Sequence, residues 1–351
     1  MSKKTNTRND TGKGKSGYLQ PDLPKIVPGR DGGRGGDGGR THYTPWLVIR
    51  CANGDVGDRP LPGGTTFWES PDVWVESSLG INQPVPGQPN NVFCKVTNLG
   101  LQDATGVVVQ FWWANPSLAI NETNAHLISQ QVPAVTVPAQ STVQVQCPDP
   151  WTPVVENGGH ECLLAQAYIP TFDPLTAPLD PVEDRHVGQK NEQLVLAAKG
   201  QQMKIRLDAL NIAGMAQAMT FDVHPLRLKT LPPALARRTL RQFKTIAPPS
   251  AALPLSLKLH EDGSFTGPSA LFARRLLANT LREVDGEARY CSAAAQVTHT
   301  ATFAPWELRT LEVTARIPPD ALPGQSFAFR VVQRAGNLVC GGYTVLAVVT
   351  G

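Results

Sequence analysis

The sequence predicts a mostly β protein: two antiparallel β-sandwich domains, the second with a small helical insertion, behind a disordered N-terminal arm. Three observations point there. Gly and Pro number 31 each among 351 residues, about 9% apiece, against usual values of ~7% and ~5%. Only 17% of residues are charged, and apolar residues fall in short runs of four to eight separated by Pro, Gly or Asn. Within those runs the apolar residues alternate, as strands with one face on a core require.

Residues 1–42 read as the arm. GKGKSG and GRDGGRGGDGGR hold almost nothing that can be buried. Ten Lys/Arg against four Asp in the first fifty residues give +6 of the chain's net +3, leaving −3 for the remainder. The Gly/Arg stretch has Asp31 and Asp37 between its arginines and no interleaved aromatics. This weakens the stacking that RNA-binding Gly/Arg arms of this type use.

The first sandwich is expected over residues 43–193. Its strands are SPDVWVES, NNVFCKVTN, TGVVVQFWWA, HLISQQVPAVTVPA, STVQVQCP and ECLLAQAYI, after a short TPWLVIRC. Val92, Cys94 and Val96 share one face of their strand, and Val143, Val145 and Cys147 share one face of theirs. The second is expected over 194–351, from QMKIRLDALNI, MAQAMTFDVHP, YCSAAAQVTHTATF, RTLEVTARIPP, QSFAFRVVQRAG and VCGGYTVLAVV. Ala335-Gly336-Asn337 reads as the turn of a final hairpin, because Gly and Asn tolerate positive φ.

Residues 225–289 break the pattern and read as the insertion. PPALARRTLRQF and PSALFARRLLANTLREV have Pro near a first turn, and Leu271, Phe272, Leu276 and Leu281 at helical spacing. Arg237, Arg238, Arg274 and Arg275 would form a basic face, either the solvated side of amphipathic helices or a contact for an anionic partner.

Residues 70–191, taken in order, resemble the bacterial CARDB-type (cell-adhesion-related, immunoglobulin-like) domain. The resemblance rests on SPDVWV, then PVPGQPNNVFCKVTNLGLQDATGVVVQFWW, VPAQSTVQV, WTP, GGHECLLAQAY and VGQKN. Residues 196–351 look like a more divergent immunoglobulin-like domain. The resemblance implies a spacer, adhesive or accessory module rather than an enzyme, and fold alone assigns no activity. Surface placement is common in that group. MSKKTNTRND is not followed by an apolar h-region, so the expectation is a cytoplasmic chain or one exported by a leaderless route. No run nears the ~18 apolar residues of a membrane helix.

Cys94, Trp112 and Cys162 are ordered like the Cys…Trp…Cys of antibody domains. A Cys94–Cys162 bond between sheets would add about 2–4 kcal/mol; for a chain without a leader, two buried thiols is the alternative reading. Consecutive Trp112 and Trp113 must point to opposite faces of a strand. One of them then leaves the core, either to meet a sugar or protein partner or to lie under a loop. Trp68, Trp74 and Trp151 belong to the same region.

Asp173, Asp180 and Asp184, with Glu183, fall in the Pro-rich loop FDPLTAPLDPVEDRH and are the candidates for Ca²⁺ by ligand type, though not by any EF-hand spacing. His126, His160 and His186 have no zinc-site spacing, and neither a G-x-S-x-G nor a phosphate-cradle motif occurs. Asn121-Glu122-Thr123 is a formal glycosylation sequon. No cofactor is expected.

The function read from this is non-catalytic: an interaction, scaffold or adhesion protein presenting sandwich surfaces to a protein or glycan partner. One alternative is a nucleic-acid or other polyanion binder using the basic arm and Arg-rich insertion. Another is a subunit of a larger bacterial assembly, an oligomer docked through its arm.

Overall fold

The structure, a computed structural model, describes residues 42–115, 117–153, 161–226, 253–265 and 297–350. Strands arise where the alternation lies. In the first body they are β1 (Leu47–Val48), β2 (Val73–Ser77), β3 (Gly80–Ile81), β4 (Asn91–Asn98), β5 (Ala104–Ala114), β6 (Ala125–Gln130), β7 (Val135–Val137), β8 (Ser141–Gln146), β9 (Cys162–Tyr168) and β10 (Val187–Lys190). The second body holds β11 (Glu192–Ala197), β12 (Gln202–Leu210), β13 (Gln217–Leu226), β14 (Leu255–Phe265), β15 (Val297–Phe303), β16 (Leu308–Arg316), β17 (Ser326–Ala335) and β18 (Leu338–Val349). No helix occurs among the described residues.

The first body has two layers. One sheet runs β1-β4-β2-β3 with β8 also on β4; the other runs β10-β9-β5-β6 with β7 also on β5. Val92, Cys94 and Val96 of β4 meet Val107, Val109 and Phe111 of β5 and Leu163, Ala165 and Ala167 of β9 in one buried cluster. Each valine, leucine or phenylalanine among them, fully removed from water, contributes roughly 1.5–3 kcal/mol.

The second body repeats the plan with β11-β18-β17-β13-β15 over β12-β16-β14. Met203, Ile205 and Leu207 of β12 turn inward, towards Phe221, Phe329, Tyr343 and Val345 of the opposite sheet. The closing hairpin turns at Gly336, whose φ is 58°, a backbone conformation open to glycine at little cost.

Two expectations need correction. Residues 253–265 were expected inside a helical insertion, but they form β14, antiparallel to β16 from Leu255↔Ala315 onward. Leu253 and Leu255 are buried in the core, so the short apolar alternation LPLSLKL outweighs its basic surroundings. The flanking segments, with Arg237, Arg238, Arg274 and Arg275, lie outside the described residues, as does the arm up to residue 41. The sheets are also not wholly antiparallel: β11 pairs parallel with β18, Glu192↔Thr344 to Ala197↔Val349. The chain leaves β10 and enters the second body directly through Asn191, without room to reverse.

Backbone contacts gather residues 41–351 into one unit, and the joint explains why. Asn191 N donates to Trp68 O (2.8 Å), and Thr344 N donates to Asn191 O (3.1 Å). The Trp68 ring lies against Gly342, where any Cβ would enter the indole, and the Leu118 carbonyl lies against Gly341, where a Cβ would overlap the backbone. Arg330 Nη2 reaches Glu69 Oε1 at 2.7 Å, and the Thr344 hydroxyl donates to the same oxygen. Leu118 N donates to Asp208 O (2.9 Å).

Gly341→Ala is therefore expected to lower stability by about 3 kcal/mol, the upper end of overpacking costs. Gly63→Ala, where nothing lies within 4 Å of the added carbon, serves as the neutral control. Urea unfolding of the two variants checks this; equal midpoints would remove the joint as a stability determinant.

Candidate binding face

Sheet pairing sets which side chains leave the core of the first body. In β5, Val107, Val109 and Phe111 point inward, so Val108, Gln110 and Trp112 point out. The register with β9 is regular: Val108↔Tyr168, Gln110↔Gln166, Trp112↔Leu164, Ala114↔Cys162. On the other side β6 supplies Gln130 opposite Gln110 and Leu127 opposite Trp112. The outer face is thus built of four rows.

The Ala114–Cys162 row packs into the core of the second body, alongside Leu118. The next row holds Trp112, which packs with Ala125, Leu164 and Leu179 and remains partly exposed. The third row is a chain of amides. Leu179 N donates to Gln166 Oε1 (3.4 Å), Gln166 Nε2 to Gln110 Oε1 (2.6 Å), and Gln110 Nε2 to Gln130 Oε1 (2.9 Å). A backbone N–H can meet only the oxygen of Gln166, so the orientation of all three amides follows from that first bond. The row ends with the Gln130 amide nitrogen in solvent, as a donor.

Residues 170–186 wall off one side of this face. Ile169 and Asp173 exchange both backbone hydrogen bonds at 3.0 Å, closing a three-residue turn that leaves Phe172 80% exposed. Leu179 reaches back into the Trp112 cluster.

The base of the loop is a buried charge cluster. His186 is fully buried, with Nδ1 2.6 Å from Asp184 Oδ1 and Nε2 3.2 Å from Asp173 Oδ2. Arg185 pairs with Asp173, and its guanidinium lies 3.7 Å from the Trp46 ring. His42 stacks on that ring too, at 3.8 Å. Leu47 N donates to Asp173 Oδ2 (3.0 Å). Asp184 accepts from the backbone N–H of Thr176, Ala177 and His186 at 2.6–3.0 Å.

Burial opposes charge on His186, but the Asp173 and Asp184 carboxylates more than offset it and raise its pKa above the ordinary value. Burial likewise opposes charge on Asp184, yet the His186 contact and the backbone donors hold its carboxyl well below the carboxylate range.

Asp173, Asp180 and Asp184, the calcium candidates by ligand type, are engaged by groups of the protein itself. Their oxygens are taken by Arg185, His186 and backbone N–H groups, and Asp180 accepts from Val182 N and Glu183 N. Among the described residues no group of three or more His, Cys, Asp or Glu is placed to hold a metal.

Cys94 and Cys162 are also not brought together. Cys94 faces the core between the sheets, whereas Cys162 has the outward phase of β9 and lies against the second body. Both are free thiols whose pKa values burial pushes far up.

Trp112 leaves the core on the outer face, and Trp113 packs against it from the inner side with His126 at 4.6 Å. Trp151 is in the core, Trp74 stacks on Phe93, and Trp68 is at the joint. Asn121 Oδ1 accepts from Thr123 N and its hydroxyl within the sequon. His160 lies outside the described residues. Sequence reasoning missed the amide row and Phe172. The signal was present in VQFWW and AQAY, where each Gln sits in phase with an outward aromatic.

No protein-family model matches the chain, and no curated protein sequence matches it. Among solved structures, the CupB6 tip adhesin from Pseudomonas aeruginosa is 9% identical over 89% of this chain and 100% of its own, at a TM-score of 0.22. The Enterococcus faecalis MSCRAMM ACE is 8% identical over 81% and 98%, at 0.23. A family 123 glycoside hydrolase from Clostridium perfringens is 9% identical over 46% of this chain, at 0.23; the chain spans only 23% of that enzyme's length. Overlaps this low carry no inference about activity.

Two outcomes follow from the geometry. His186 with a raised folded pKa contributes stability that is complete below its unfolded value of about 6.5 and is lost as pH rises through the folded value. Asp184 with a depressed pKa contributes stability above about 3.9, lost as pH falls. Stability should peak between those values, and His186→Gln should cost about 3 kcal/mol at pH 5 while flattening the alkaline decline; denaturation series across pH measure both. Peptide mapping of the oxidised protein should recover no Cys94–Cys162 linkage, and finding one would refute the outward phase of β9.

Proposed function

We propose that this chain is a non-catalytic binding or adhesion module. In this reading it is a pair of immunoglobulin-like sandwiches, the first CARDB-like, whose first body presents a recognition surface to a protein or glycan. The observation that carries the reading is the half-open outer face of β5, β9 and β6 beside a loop that lifts Phe172 into solvent from a braced base.

Binding energy concentrates in a few aromatic side chains held in place before the partner arrives. Phe172 meets that condition, because its turn is closed by paired backbone bonds and anchored by Asp173. Trp112 meets it as well, packed against Ala125, Leu164 and Leu179 and partly exposed. Support for a non-catalytic role comes from the buried carboxylates. Asp72, Asp55, Asp173, Glu69 and Glu307 are each paired with an arginine, which commits them to structure.

The test is retention of beads coated with the whole chain on protein- and glycan-coated surfaces. Phe172→Ala and Trp112→Ala should each lower retention about tenfold, roughly 1.4 kcal/mol. Leu338→Ala, a remote exposed residue, should leave it unchanged. Equal retention by all three variants would overturn the proposal. So would binding to nucleic acid alone with the steep salt dependence of phosphate contacts.

A further inference from the structure

The outer face of β5, β9 and β6 carries no ionisable charge in its open rows: Val108, Gln110, Trp112, Leu127, Gln130 and Tyr168. The outer face of β12, β16 and β14 is the contrast within the same chain. There Lys204, Arg206, Lys258 and Arg316 surround Glu312, with Arg206 3.2 Å from its carboxylate. Charged residues are the ordinary covering of a solvated sheet face, and the first body has amides and aromatics instead.

We propose that the open rows form a subsite for a neutral oligosaccharide, lying across the Gln110–Gln130 amides with Trp112 as its stacking platform. This rests on the binding-module reading above and names its ligand class. The uncharged face matches an uncharged ligand and offers an anionic polymer no cation. Sugar rings present C–H faces to an indole and hydroxyl oxygens to amide donors. The face supplies both: a partly exposed Trp112 side chain, and an exposed Gln130 whose amide oxygen is taken by Gln110, which leaves its amide nitrogen as the donor. Val108 and Trp112 are four residues apart on β5, about 13 Å, the reach of a short oligosaccharide, and Tyr168 stands at the far end.

An added peptide strand fits less well. β6 is the edge of its sheet, but its register shifts between Phe111 and Trp112, and the Ser129 hydroxyl is held by Asp149 at 2.6 Å. A bulged edge is a poor template for strand addition.

The probes are neutral hexasaccharides of glucose, mannose and N-acetylglucosamine, with a heparin hexasaccharide as the anionic comparison. Binding is read by calorimetry and tryptophan fluorescence on the full chain. At least one neutral probe should bind. Trp112→Ala should weaken it about tenfold or more, Trp112→Phe about threefold, and Gln130→Ala between these. Gln130 is exposed, so its variant reports on binding even where Trp112→Ala fails to fold.

Binding of none of the neutral probes overturns the proposal, as does binding of heparin only. Binding unaffected by Gln130→Ala and Trp112→Phe also overturns it. Dimers in light scattering that Gln130→Ala dissolves would assign the face to a second copy of this chain instead. Failure here leaves the broader reading to its own test, because retention through Phe172 does not depend on the amide row.

Discussion

A β-sheet has two faces, and the sheet of β10, β9, β5 and β6 must satisfy both. Its inner face is settled by alternation: Val107, Val109, Phe111, Leu163, Ala165 and Ala167 fill one core. Every second residue is then driven outward whether or not water suits it. The outer face is divided among three solutions. Ala114 and Cys162 are covered by the second body, Leu164 and part of Trp112 by the 170–186 loop, and the amide row remains open. The binding face is what the other two coverings leave.

Those coverings are themselves held by polar groups removed from water. The loop depends on His186 between Asp173 and Asp184, and the joint depends on Glu69 with Arg330 and Thr344. Pairs of this kind gain little over a well-packed apolar substitute, but loss of one partner strands a buried charge. Their value here lies in geometry, since each admits one arrangement of the chains that supply it. A loop that carries an exposed phenylalanine needs such a base, because its apolar contacts are few.

Much of the strand pattern was legible beforehand. SPDVWVES, NNVFCKVTN, TGVVVQFWWA and ECLLAQAYI became β2, β4, β5 and β9, because period-2 alternation is a local property. β14 was not, since four leucines in LPLSLKL are too few to outweigh a basic, helix-like neighbourhood until β16 is there to pair with them. Nor was the parallel pairing of β11, which depends on where β10 releases the chain. The acids of the 170–186 loop offered calcium ligands by residue type alone. Nothing local shows that Arg185 and His186 fold back onto Asp173 and Asp184.

What the sequence determined by itself is the mostly β character, most of the strands and the phase of the side chains that alternate within them, all consequences of backbone geometry and apolar spacing. The tertiary structure alone decided which outward residues stay in water. Cys162 and Trp112 share one phase of the outer face, yet one is buried against the second body and the other stays partly exposed. Cover of an outer face depends on chain far away in sequence, and no local pattern encodes that distance.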